Sequence, residues 1–199
     1  VTRGRSEELQ GNMNNGSNLQ SAGNGRGKAA TLKNGGQLRS GNTATVGAEH
    51  VGNTGEIQGD RLALTANSAD SSGNLVGLKG LTAQLQQDLT TATGGQMLTQ
   101  GALSVTAGHV TNNGSWQAGS ADLHADQLDL NGAIQTATQA NLILTGALNT
   151  QAQGKIVSTG LAVLQASGLN NQGSWSADSL SLTGGTLTAI AGTSTAVVN

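Results

Sequence analysis

The chain has 199 residues, a formal net charge of −2 and only 10% charged residues, with 31 glycines, two tryptophans and no proline, cysteine, phenylalanine or tyrosine. Without cysteine there is no disulfide framework, no thiolate metal site and no thiol nucleophile, and forty Leu, Ile and Val residues are too few for an ordinary core of large side chains. Disordered chains couple low hydrophobicity to high net charge and abundant proline, and this composition has neither.

No apolar run of about 18 residues is present, so no membrane-spanning helix is expected. Val1-Thr2-Arg3-Gly4-Arg5 lacks the apolar stretch of a signal peptide, and the sequence reads as a segment of something longer. Six basic residues face two acidic ones before position 40, and three face nine after it. The basic end is diffuse and has no neighbouring aromatic residue for base stacking, so no nucleic-acid partner is expected.

In sequence order, single apolar residues follow Gly or turn clusters at Leu38, Ile57, Leu75, Met97, Trp116, Ile134, Ile156 and Trp175. The intervals are 19, 18, 22, 19, 18, 22 and 19, a coil of about twenty nested in a unit of 59. A second station follows each of these with period-two alternation. It runs Ala44-Val46-Ala48, Leu62-Leu64-Ala66, Leu81-Ala83-Leu85, Leu103-Val105-Ala107, Ala121-Leu123-Ala125, Ala140-Leu142-Leu144, Ala162-Leu164-Ala166 and Leu180-Leu182-Gly184. A third station comprises Val51, Ala69, Leu89, Val110, Leu128, Leu148, Leu169 and Leu187. Asn-Gly and related clusters precede the first station, as in Asn34-Gly35-Gly36 and Asn131-Gly132, and supply residues that tolerate positive φ.

Three short strands per circuit, with each circuit closing on itself, must climb by one strand spacing, so successive coils pair in parallel about 4.8 Å apart. The first-station residues form the expected core column of an all-β parallel β-helix, a rod of about 34 Å from Leu38 to Trp175. Asn and Thr at equivalent corners can hydrogen-bond as ladders, and few charges are tolerated because identical columns would stack like charges. Before residue 36 the 59-residue offset from Leu75, Leu81 and Leu85 lands on Gly16, Ala22 and Arg26. The expected organisation is therefore an irregular or partly disordered first turn over 1–35, a repeat shaft over 36–190, and a truncated start of a further coil over 191–199.

Val110-Thr111-Asn112-Asn113-Gly114-Ser115-Trp116 and Leu169-Asn170-Asn171-Gln172-Gly173-Ser174-Trp175, each followed by Leu-x-Leu stations, resemble the repeats of the filamentous haemagglutinin family. That family includes secreted adhesins and the stalks of contact-dependent inhibition proteins. The resemblance covers 36–190 and implies a right-handed parallel β-helix (solenoid) with coils of about twenty residues. It further implies export by two-partner secretion through an outer-membrane transporter, and display on or release from the outer surface of a Gram-negative bacterium. The family's secretion domain has Asn-Pro motifs, which this proline-free sequence lacks.

A few polar residues could carry chemistry. Asp122, His124 and Asp126 alternate with Leu123 and Ala125 and so project from one outer face, where they form an outward-face candidate for a metal or for acid–base work on carbohydrate. The ordinary reading is a solvated strand, since neighbouring coils offer Ser104, Thr106, Asn141 and Ile143 there. His50 and His109 occupy the same place in consecutive repeat units, with Gly168 as the third copy. Three coils, about 14 Å, separate the two imidazoles, too far for one metal ion, and structural corner positions are expected. Trp116 and Trp175 share the phase of the core column, so they are expected inside and not as sugar-stacking platforms. No catalytic, cofactor-binding or metal residues are assigned, and no cofactor is expected. The expected function is a non-catalytic shaft projecting a binding or toxin module. A direct face for a host-cell or bacterial receptor or a glycan, and a β-helix carbohydrate-active enzyme, are the alternatives. Open terminal coils also make end-to-end self-association of the fragment an expectation.

Overall fold

A computed structural model describes residues 5–8 and 11–189, with side chains described from residue 11 to 188. The segment expected as a truncated coil, 191–199, lies outside the described residues. Strands in this structure alternate buried and outward side chains, as at Ala121–Ala125, because the pleat sends successive residues to opposite faces. Every pairing among the described strands is parallel, and the polypeptide winds into a β-solenoid of about nine turns.

Three walls enclose the interior. On the first, Leu19, Leu38, Ile57, Leu75, Met97, Trp116, Ile134, Ile156 and Trp175 are direct partners from coil to coil. On the second, Val46, Leu64, Ala83, Val105, Leu123, Leu142, Leu164 and Leu182 stack in the same way. On the third, the column runs Met13, Leu32, Val51, Ala69, Leu89, Val110, Leu128, Leu148, Leu169 and Leu187. The inward residues are nearly all fully buried and form one continuous core. Each large aliphatic side chain in it contributes on the order of 1.5–3 kcal/mol.

One corner supplies half of the difference between the 18- and 22-residue coils. From Ala69 to Leu75 the turn between the third and first walls takes six residues, whereas from Leu89 to Met97 it takes eight. The extra length carries Gly94, the only glycine with positive φ among the described residues. Its equivalent in the next repeat unit spans Leu148 to Ile156. The coil following each widened turn places a tryptophan inside: Trp116 donates its Nε1–H to Thr91 Oγ1 at 2.9 Å, and Trp175 to Thr150 Oγ1 at 2.8 Å. Both rings are buried, 1% and 2% exposed, and their polar N–H is paired, as a buried indole requires.

At the same corner the narrower coils turn an asparagine inward. Asn15, Asn34 and Asn53 are register partners and buried. Asn15 Nδ2 donates to Asn34 Oδ1 at 2.7 Å, Asn34 Nδ2 to Asn53 Oδ1 at 2.8 Å, and Asn53 Nδ2 to Ser71 Oγ at 3.2 Å. These corners therefore use asparagine for its side-chain amide and not for left-handed backbone.

Parallel pairing also runs through residues 12–34, within the segment set apart above as 1–35: Met13 lies beside Leu32, Leu19 beside Leu38, and Gly27 beside Val46, each at an offset of 19. What distinguishes this end is its filling. Gly25 and Gly27 stand in columns that hold Ala, Val or Leu in the next coils, and a cavity of about 60 Å³ opens between Met13, Leu19, Leu38 and Val46.

Leu123→Asp should disrupt at least the adjoining coils, costing several kcal/mol in a urea titration, because the carboxylate would enter a buried apolar column. Gly27→Ala should instead raise stability by about 0.5–1 kcal/mol, since the added methyl would meet Met13 Sδ at an ordinary 3.9 Å. Gly36→Ala should destabilise, because its Cβ would lie 2.1 Å from the Ser17 carbonyl oxygen. Equal urea midpoints for the two glycine variants would contradict this account of the corner.

Candidate functional site

The strand Ser115–Ala125 turns Leu123 and Ala125 inward and thereby fixes Asp122 and His124 outward. His124 Nε2 lies 3.2 Å from Asp122 Oδ1, and Asn141 of the next coil donates to the same oxygen at 2.9 Å. Asp126 lies at the corner beyond that strand, where Thr145 Oγ1 donates to its Oδ1 at 2.8 Å. Asp122 and His124 are thus brought together, while Asp126 has a separate partner. Both members of the Asp122–His124 pair are about half exposed, so solvent screens their attraction to a fraction of a kcal/mol. Among the described residues no three His, Asp or Glu side chains converge on a point where a metal ion could be held.

A denser polar cluster lies on the third wall. His109 Nε2 contacts Asp129 Oδ2 at 2.6 Å, Gln127 Nε2 reaches both carboxylate oxygens at 3.0 and 3.1 Å, and Asn149 Nδ2 donates to Asp129 Oδ1 at 2.7 Å. Asn170 continues upward, donating to Asn149 Oδ1 at 2.8 Å. Partial burial alone would push the Asp129 carboxyl up, but hydrogen bonds from Asn149, His109 and Gln127 and the charge of His109 outweigh it and hold the group below its ordinary value.

His50 repeats part of this arrangement one 59-residue unit earlier. Its Nδ1 lies 2.8 Å from Ser68 Oγ and its Nε2 3.5 Å from Asp70 Oδ2. In both copies the acidic partner lies twenty residues beyond the histidine, on the next coil and one outward position along. That spacing is visible in the sequence as His50/Asp70 and His109/Asp129 once coil register is known. Such pairs satisfy a half-exposed histidine and relieve the charge stacking that a parallel ladder would otherwise impose. Both pairs join one coil to the next, as a structural tie does.

Trp116 and Trp175, buried and hydrogen-bonded as described, present no ring to solvent. No described helix is long and apolar enough to cross a membrane.

Comparison with known proteins places this geometry in context. A "tRNA nuclease CdiA" of Escherichia coli (strain NC101) is 35% identical over 166 residues, covering 80% of this chain and 5% of that protein. A "Deoxyribonuclease CdiA" of Dickeya dadantii (strain 3937) is 40% identical over 110 residues, covering 54% of this chain and 3% of the relative. A "tRNA nuclease CdiA" of Yersinia mollaretii is 34% identical over 114 residues, covering 57% and 4% respectively. The chain thus spans only 3–5% of the length of these relatives. No family model matches it, and no solved structure does.

The Asp129 cluster yields a signed prediction. A carboxyl whose folded value is depressed contributes stability that is present above the unfolded value, about 3.9, and is lost as pH falls through the folded one. Urea midpoints of the wild type should therefore drop across the acid range below about pH 4 more steeply than those of Asp129→Asn. Parallel curves would show that the cluster adds nothing to acid stability.

Proposed function

We propose that this chain, a filamentous haemagglutinin-type repeat region related to the CdiA contact-dependent inhibition proteins, is a non-catalytic shaft segment of a secreted Gram-negative exoprotein. In this reading the parent passes through an outer-membrane transporter and stands on the cell surface. There the shaft, made by residues 36–190, holds a toxin or binding module toward a bacterial or host receptor. The nuclease names of the relatives describe whole proteins of which a few percent aligns here, and the reading assigns that chemistry to another part of such a protein.

The single observation that carries the proposal is the unbroken register of the three inward columns. Parallel ladders joining every coil to the next spread a load over many backbone hydrogen bonds and add about 4.8 Å of length per coil. A side chain that reports only to its column neighbours supports length and stiffness and leaves little to position a substrate.

A second reading, a glycan- or receptor-binding face, rests on a shallow groove of about 340 Å³ at the corner between the second and third walls. Thr65, Asn67, Gln84, Gln86 and Thr106 rim it over Ala66 and Leu85. Glycan-array binding by the purified protein that is lost in Asn67→Ala/Gln84→Ala would favour this face over a passive shaft.

The shaft reading is tested by an excision matched to the 59-residue unit. Deleting residues 98–156, whose last residue Ile156 occupies the column position of Met97, joins Met97 to Val157, keeps the widened corner with Thr91 in the coil before Trp175, and should leave a folded solenoid shorter by three coils, about 14 Å. In a full-length parent the same excision should preserve export and shorten reach, with activity on a contacting cell retained or graded by length. Incubation of the purified protein with tRNA or DNA should leave both intact. Cleavage abolished by Asp122→Asn/His124→Ala would overturn the non-catalytic assignment.

A further inference from the structure

Asparagine followed by glycine is chemically fragile, because the unhindered glycine nitrogen can reach the asparagine Cγ carbon. Five such steps occur here: Asn15-Gly16, Asn24-Gly25, Asn34-Gly35, Asn113-Gly114 and Asn131-Gly132. Asn34 differs from the others in what its amide holds together. It is almost completely buried, accepts from Asn15 Nδ2 at 2.7 Å, and donates through Nδ2 to Asn53 Oδ1 at 2.8 Å, to the Glu56 carbonyl at 3.0 Å and to the Gly36 carbonyl at 3.2 Å. A carboxylate at this position would face three acceptors with no proton to give. An isoaspartate would in addition lengthen the backbone inside a corner registered on Asn15 and Asn53.

The glycine at 35 is not demanded by space. A Cβ there would meet Thr54 Oγ1 at 3.6 Å and the Asn15 carbonyl oxygen at 3.8 Å, ordinary contacts, and its φ is not left-handed. Its neighbours in the corner contrast sharply, since a Cβ on Gly36 or Gly55 would lie 2.1 or 2.0 Å from backbone oxygen. In the folded coil the Gly35 N–H is engaged, donating to the Asn15 carbonyl at 2.7 Å, while the Asn34 side chain is tied on both sides. The nucleophile and its target are therefore both immobilised by stacking.

We propose that Asn34-Gly35 is a folding-gated self-modification site that limits how long the polypeptide can remain unfolded and still fold. Before the coils pair, the Gly35 nitrogen gives its proton to solvent base and attacks Asn34 Cγ. A bond forms between that nitrogen and Cγ, the Cγ–Nδ2 bond breaks, and the amide nitrogen leaves as ammonia after taking a proton from solvent. Water then opens the resulting succinimide at either carbonyl, leaving aspartate or isoaspartate. Coil stacking stops the reaction before it starts, and conversion before stacking removes the ladder that the corner needs. Asn53, the next ladder residue, precedes Thr54, whose side chain obstructs the same attack, and serves as an internal control.

The experiment holds the full 199-residue protein either in mildly alkaline urea or in the same buffer without urea, then dilutes both into folding conditions. Peptide mass spectrometry follows amide-to-acid conversion at Asn34 and Asn53, and circular dichroism follows the refolded fraction. Conversion at Asn34 should accumulate in urea, remain near zero in the native sample, and exceed conversion at Asn53. Converted molecules should be depleted from the refolded pool. Gly35→Ala should suppress conversion at Asn34 while leaving the native spectrum unchanged. Asn34→Asp, which supplies one product directly, should shift the folding equilibrium toward the unfolded state by about tenfold or more. Native conversion as fast as that in urea, or converted molecules refolding as well as unconverted ones, would overturn the proposal. An Asn34→Asp variant as stable as wild type would overturn it as well, and these readouts stand without the Gly35 variant.

Discussion

In a parallel stack every residue has its counterpart about 4.8 Å above and below it, so a side chain is acceptable only if it can live next to its own kind. Aliphatic residues meet that condition by packing, as Val110, Leu128 and Leu148 do. Side-chain amides meet it because each carries both a donor and an acceptor, and Asn15, Asn34 and Asn53 pass one hydrogen bond up the column. Charges do not meet it, which is why only a tenth of the residues are charged and why His109 takes its acid from a diagonal position on the next coil. Composition, corner chemistry and ion-pair placement follow from that one geometric condition.

The 59-residue unit is a packing solution imposed on the same stack. Widening one turn in three makes room in the following coil for an indole, and the threonine that replaces asparagine at the widened corner accepts the indole N–H. The unit does not extend to the first described coils, which step by 19 or 20 residues, carry glycine on the second wall and are tied by the amide ladder. Stability is therefore distributed unevenly along the rod: polar and sparsely filled at one end, apolar and dense in the middle.

The fold was legible because its signal is spacing. Leu-x-Leu stations recurring at nearly constant intervals fix a coil length, and turn residues between them leave no helical return. Direction at the corners was harder to read. Asn34 and Asn53 precede Gly or Thr-Gly and look like turn formers, yet their side chains point inward, because sequence alone does not tell a backbone role from an amide role. The first coils hid for a related reason: a 59-residue offset from Leu75 lands on Gly16, whereas the register there steps by 19 from Leu38 to Leu19. On the outer face, Asp122 and His124 are adjacent by pleat alone and so could be found in the sequence. The His109–Asp129 contact crosses between coils, and its twenty-residue spacing means nothing until the register is known.

Trp116 and Trp175 are the only fluorescent aromatic residues in the sequence, and each is sealed inside a different coil with its N–H bound to the threonine of the coil before. They amount to two built-in optical probes at known heights in an otherwise dark rod. Because neither indole touches solvent, the emission of each depends on whether its own coil is closed, and the pair distinguishes peeling that begins at one tip from a collapse of the whole stack at once.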